Sequence, residues 1–220
     1  MKPQTKSNTV HRRADSLPSY GWGNATSPCS CAYLAPKVIQ LLRSLKVQKV
    51  ADLGSGNGAL CNALKCQGFD PVGVEYDKDG CSLSTKIYPH IPFYNMGFED
   101  EPEALLDTEG SFDAVISTEV IEHLYSPHLL PIFAKKILKK GGYLLLSTPY
   151  HGYLKNLALS VFNKWDAHHT PLWHGGHIKF WSKHTLTQLL HDHGFERVQF
   201  YGVGRLPFLW KSMILVARSS

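Results

Sequence analysis

Asp52, Gly54, Gly56 and Gly58 stand at alternate positions, and the apolar run around Val50, Ala51 and Leu53 leads straight into them. From Val47 the chain alternates apolar and polar residues and then turns apolar, as a strand does on entering a sheet covered on both faces. Ala59 to Leu64 then reads as a helix start. A strand, a glycine turn and a helix N-terminus bring backbone amides, rather than side chains, against a ligand. The spacing narrows the choice of ligand. A dinucleotide fingerprint needs its third glycine one residue later, and a P-loop needs a Lys where this chain has Ala59. Asp52 beside the turn would repel a pyrophosphate and suits a positive centre, such as an amino acid or a sulfonium.

Two further groups carry chemistry. Glu75 lies 21 residues beyond Gly54 and ends a short apolar run, and a carboxylate there can accept from both hydroxyls of a ribose. Glu119, Glu122 and His123 follow the apolar run 112–117. If a helix begins there, spacings of three and four turn these side chains to one face, with His177 able to join from a later segment. Such a set could hold Mg²⁺, Mn²⁺ or Zn²⁺ and leave positions open for an acceptor oxygen. Without metal, His123 or His151 could serve as general base, and acids at a helix start also have a purely structural use.

The segment Asp52-x-Gly54-x-Gly56-x-Gly58 resembles motif I of the class I S-adenosylmethionine (SAM) methyltransferases, and the resemblance extends over about residues 37–219. It implies that Asp52, Gly54, Ser55, Gly56 and Gly58 wrap the amino-acid end of the cofactor. It also implies that Glu75, with Tyr76 beside it, takes the ribose, that Phe98 and Glu99 lie near the adenine, and that Glu119 hydrogen-bonds close to the cofactor. Lys139-Lys140-Gly141-Gly142 resembles the family's turn before the fifth strand. More narrowly, Glu119-x-x-Glu122-His123 resembles a segment of ubiquinone-biosynthesis O-methyltransferases, shared with enzymes that methylate the terminal 2′-hydroxyl of small RNAs. In both groups the two acids and the histidine are associated with a divalent metal. His177 ahead of Phe180-Trp181 is similar to a pattern of the RNA enzymes, whereas residues 150–176 depart from both groups.

These residues need a frame. Strand-like runs at 71–75, 91–96, 112–117 and 143–149 alternate with helical patterns at 36–45, from Pro127 to the Gly141-Gly142 stop, and at 182–194. The expectation is an α/β fold, a doubly wound and mostly parallel seven-stranded sheet, closed by strands at 195–203 and 213–217 that the family pairs antiparallel. In such sheets ligands bind at the carboxyl ends of the strands, where Asp52, Glu75, Glu99 and Glu119 all fall. Between 150 and 180 the pattern breaks into a helix over 154–165 and a loop of His, Gly and aromatics, holding five of the twelve histidines. This insertion reads as a substrate lid. Residues 1–18 read as a disordered lead-in, 19–220 as the methyltransferase domain, and 19–23 as a docking segment.

Composition sets outer bounds. No run approaches 18 apolar residues, and the first fifteen residues carry no apolar signal core, so a cytoplasmic protein is expected. Five cysteines, all in the first half, point to reduced thiols, and Cys29-Ser30-Cys31 lacks the second pair that a zinc site would need. The net charge of +5 divides into +4 over residues 1–14, −7 over 15–120 and +8 over 121–220. A basic half could meet anionic lipid, nucleic acid or an acidic small molecule. The expected activity is methyl transfer from SAM to an oxygen of a phenolic or quinol-like small acceptor. RNA 2′-O-methylation and a non-catalytic SAM-binding module are the alternatives, and the former lacks any visible RNA-binding module.

Overall fold

The computed structural model describes residues 29–169, 171–173 and 175–220. The lead-in at 1–18, the segment 19–23 and His174 lie outside the described residues. The elements run α1 (Cys31–Ser44), β1 (Lys49–Leu53), α2 (Ala59–Cys66), β2 (Asp70–Glu75), α3 (Lys78–Ile87), β3 (Phe93–Asn95), α4 (Glu103–Glu109) and β4 (Phe112–Thr118). A single 3-10 turn (Ile121–His123) follows, then α5 (Leu129–Ile137), β5 (Leu138–Pro149), α6 (Tyr153–Val161), α7 (Trp165–His169), α8 (Lys183–Asp192), β6 (Phe195–Val203) and β7 (Ser212–Ser219).

The strands form one sheet in the order β3-β2-β1-β4-β5-β7-β6. The first five are parallel, and β7 runs antiparallel between β5 and β6. The chain therefore leaves β1 toward β2 and β3 on one side, then returns to lay β4 and β5 on the other. That reversal places the carboxyl ends of β1 and β4 side by side, the position where open α/β sheets bind ligands. Strand periodicity divides the core cleanly. Val50, Ala114, Ile116, Leu145 and Ile214 pack with α1 and α2 on one face, and Ala51, Leu53, Val115, Leu144 and Leu146 pack with α5 and α8 on the other.

The sheet follows the sequence expectation, and the departures are local. The helix after Pro127 stops at Ile137, not at Gly141-Gly142, because Leu138 already pairs with Phe112 across a bulge. Gly141, at φ +74°, falls inside β5. The expected helix over 154–165 is two helices, divided where Asn163 takes φ +50°. The acidic run beginning at Glu99 leads into α4. No α-helix begins at Glu119, since only the 3-10 turn follows β4. Ser182 caps α8 as expected, in a reciprocal capping box with Thr185. All five cysteines are free, and no helix among the described residues is long and apolar enough to cross a membrane.

Candidate active site

Gly54, Gly56 and Gly58 all take left-handed backbone angles, at φ +79°, +53° and +78°. At Gly54 the requirement is doubled, because a Cβ would also lie 2.5 Å from Val120 Cγ2. The turn leans on β2, with the Gly54 and Ser55 amides donating to the Val74 carbonyl at 2.8 and 3.1 Å. Glu75 locks the arrangement. Its Oε2 accepts from the Gly56 amide at 2.6 Å and its Oε1 from the Asp77 amide at 2.8 Å. Burial raises the Glu75 pKa, and these two amides oppose the rise. Each oxygen keeps a lone pair for a further donor, which is the geometry a vicinal diol needs.

Asp52 is buried at the end of β1. Its Oδ2 accepts from the Cys61 thiol at 3.4 Å, a weak donor, while Oδ1 and the neighbouring Ser55 hydroxyl meet no partner among the described residues. Burial pushes the Asp52 pKa up to about 7. A cation approaching Oδ1 would reverse that shift, so the turn combines amide donors with a carboxylate lacking a counter-charge.

The second cluster follows β4. Glu119 sits at φ +56°, outside the usual range for a residue with a side chain, and is held there by its bonds. Its Oε1 accepts from Ser147 at 2.8 Å and its Oε2 from Ser212 at 3.1 Å, and Ser212 Oγ in turn meets Tyr33 Oη at 3.0 Å. Burial lifts the Glu119 pKa to about 7. Glu122 points elsewhere. Its side chain is fully buried, its Oε2 accepts from Thr148 at 3.1 Å, and its Oε1 has no hydrogen-bond partner among the described residues. Ligand atoms of Glu122, His123 and His177 all lie within 4.8 Å of one another. The later segment reaches this point because the Ile178 and Lys179 amides both donate to the Glu122 carbonyl, at 2.9 and 3.0 Å. The His123 and His177 rings meet edge to face at 4.9 Å. Burial lowers both their pKa values, that of His177 to about 4 with help from His123, so both imidazoles are neutral at pH 7 and available as ligands or bases.

The remaining sequence-predicted residues fall around these two clusters. Tyr76 is half exposed beside Gly97. Phe98 packs edge to face on Phe133 of α5 at 5.9 Å, and Glu99 is exposed. Asp100, not singled out by sequence reasoning, accepts from the Gly97 amide at 2.8 Å and so shapes this corner. His151 stacks on His169 and meets Phe180 edge to face, and burial drops its pKa to about 4.

A family model described as a methyltransferase domain matches residues 30–199. The chain belongs to the SAM-dependent methyltransferases. It is 25% identical over 198 residues to the ubiquinone biosynthesis O-methyltransferase of Ruegeria sp., covering 84% of this chain and 78% of that one. Two solved structures share its fold. The methyltransferase domain of bacterial CtHen1 matches with a TM-score of 0.63 at 20% identity, over 84% of this chain and 97% of that one. Magnesium protoporphyrin IX methyltransferase from Synechocystis, with bound S-adenosylhomocysteine, matches with a TM-score of 0.61 at 17% identity, over 85% and 82%.

Some site residues of this methyltransferase had no usable signal in the sequence. Thr148 and Ser147 look like ordinary strand-end residues until pairing with β4 sets them against Glu122 and Glu119. Lys155 is buried, donates to the Lys211 carbonyl at 3.3 Å, and has its pKa lowered to about 8 by burial and by Arg205. A lysine three residues into a helix normally reads as solvated. The raised pKa of Asp52 has a measurable consequence. The folded form holds its proton up to about pH 7, whereas an unfolded Asp releases it near pH 4. Wild-type unfolding free energy should therefore fall relative to Asp52→Asn as pH rises from about 4 to about 7, then run parallel to it. Urea titrations of both proteins across this range measure the difference, and a constant offset would show Asp52 ionised throughout.

Proposed function

We propose that this methyltransferase transfers the methyl group of SAM to an oxygen of a small phenolic or quinol-like acceptor. The observation that carries the reading is the Glu122–His123–His177 cluster, with a buried carboxyl oxygen that accepts no hydrogen bond among the described residues, immediately past the strand that adjoins the glycine turn. The printed function of the Ruegeria relative supports the same choice of oxygen. The surface around the cluster exposes apolar side chains such as Trp173, Ile178 and Phe180, which suit a small aromatic acceptor better than a phosphate backbone.

In this reading the amides of 54–58 and the carboxylate of Asp52 hold the amino-acid end of SAM, and Glu75 accepts from its ribose hydroxyls. Tyr76 and the corner of Phe98 and Glu99 flank the adenine, and Glu119 sits near the donor. Transfer is an in-line displacement at the sulfonium methyl, so alignment of donor and acceptor supplies most of the acceleration. A phenol near pKa ~10 must also lose its proton. His151, kept neutral by burial, is the base for that proton, and His123 serves where no metal occupies it. Glu122, His123 and His177 fit a divalent cation, since a buried carboxyl group, whose ionised form a cation would stabilise, beside two neutral imidazoles is a ready ligand set. Two nitrogens and one oxygen suit Mn²⁺ or Zn²⁺ better than Mg²⁺. Such an ion would lend Lewis acidity to the acceptor hydroxyl. Glu119, with both oxygens bonded to serines, stands outside this ligand set. Residues 150–180 act as the lid over the acceptor.

Three measurements test these assignments. Glu75→Ala removes the acceptor for the Gly56 and Asp77 amides and should weaken S-adenosylhomocysteine binding by roughly tenfold to a hundredfold in calorimetry. Unchanged affinity would place the cofactor elsewhere. Methylation of a catechol should fall after EDTA treatment, return on adding Mn²⁺ or Zn²⁺, and stay low in Glu122→Ala whatever ion is added. Full activity in EDTA would leave His123 and His151 as bases and remove the metal. Amides of 153–175 should exchange quickly in the free protein and slow on adding cofactor with acceptor. Protection already equal to that of the sheet would make the segment ordinary structure.

A further inference from the structure

Helix α6 is built the wrong way round for a soluble protein. Its one buried residue is Lys155, only 6% exposed, while Tyr153, Leu154, Leu157 and Val161 face outward. At 100° per residue these four span a single stripe roughly 100° wide, and Lys155 lies on the opposite side. The apolar surface continues past the helix end through Phe162, 70% exposed, and Trp165. Of the sixteen large hydrophobic residues exposed among the described residues, thirteen lie between 153 and 180 or between 206 and 209. The two stretches are neighbours. Tyr150 and Lys155 both donate to the Lys211 carbonyl, and the Tyr150 and Trp210 rings meet at 5.1 Å, with Phe208 against Trp210 at 5.5 Å.

The charge on this surface is mostly positive. Residues 150–180 and 203–211 carry five lysines and arginines and a single acid, Asp166. Lys164, Arg205 and Lys211 are exposed among the apolar side chains. A short helix with an outward apolar stripe, tyrosine and tryptophan at its borders, and flanking basic residues matches an element lying flat at a lipid headgroup boundary. At nine residues it cannot cross a bilayer.

We propose that α6, the chain from Phe162 to Trp165 and the loop between β6 and β7 form one face that docks on an anionic lipid bilayer. The apolar stripe enters the headgroup region and Lys164, Arg205 and Lys211 meet the lipid phosphates. The inference does not rest on the identity of the methyl acceptor. The test is co-sedimentation of the full chain with phosphatidylcholine vesicles, with and without about 30 mol % phosphatidylglycerol. Binding should require the anionic lipid and weaken in high salt. Phe162→Ser combined with Phe208→Ser should lower it about tenfold or more, as should Lys164→Glu combined with Arg205→Glu. All four positions are exposed, and unchanged melting and S-adenosylhomocysteine binding would confirm that the fold is intact. Equal binding to both vesicle types, no binding, or binding indifferent to both double variants would overturn the proposal. So would a dimer in analytical ultracentrifugation that the Phe162→Ser, Phe208→Ser protein loses, accompanied by no vesicle binding, because the face would then belong to a second copy of the chain.

Discussion

The parallel pairing of β1 with β4 is the constraint on which this end of the molecule depends. It sets Val50 opposite Ala114 and Asp52 opposite Ile116, and the Ser117 hydroxyl ties the strand ends together by donating to the Leu53 carbonyl at 2.8 Å. The glycine turn and the acid–histidine cluster come from distant parts of the chain, yet they share this one wall. Val120 closes it, packed so tightly on Gly54 that no side chain fits between them. Because the neighbouring strands leave β1 in opposite directions, the crevice at their ends is open to a ligand without any gap in the core.

That wall concentrates carboxylates. Asp52, Glu75, Glu119 and Glu122 are all buried or nearly so, and burial raises the pKa of each. An uncompensated buried carboxylate costs several kcal/mol, roughly, so the differences in their partners matter. Glu75 has two amides and Glu119 two serine hydroxyls, which spread the charge at each oxygen. Asp52 and Glu122 each keep one oxygen with no hydrogen bond from the described residues. The protein thus leaves two carboxyl groups in one crevice whose ionised forms it does little to stabilise, and a positively charged ligand at either one gains what the chain itself does not supply.

How much of this could be read in advance depended on whether the signal was local. The glycine turn, the place of Glu75 at the end of β2 and the alternation of strands with helices were legible, because strand periodicity, turn chemistry and a fixed crossover length lie within short stretches. The acids after β4 were legible as a group but not in their directions. A helix would have aimed Glu119 and Glu122 together, whereas the left-handed backbone at Glu119 sends one to Ser147 and Ser212 and the other toward the histidines. Ser212 lies on the last strand, and nothing near Glu119 in the sequence announces it. The inverted helix α6 was hidden for the same reason. Its pattern is ordinary for an amphipathic helix, and only the tertiary contact of Lys155 with Lys211 reveals which side is turned inward.

The segment between β5 and α8 is anchored at both ends. Tyr150 is tied to Lys211 at its start, and the Ile178 and Lys179 amides are tied to the Glu122 carbonyl near its finish. With both ends fixed, the middle contributes to stability chiefly through the entropy of closing a loop, which changes by only about 0.6 kcal/mol when the length doubles. The chain between the anchors can therefore be lengthened or trimmed at little cost to the sheet. The anchors stand on backbone groups, which survive almost any side-chain substitution. The architecture separates a sheet held by those anchors from an outward-facing segment whose length can change without disturbing it.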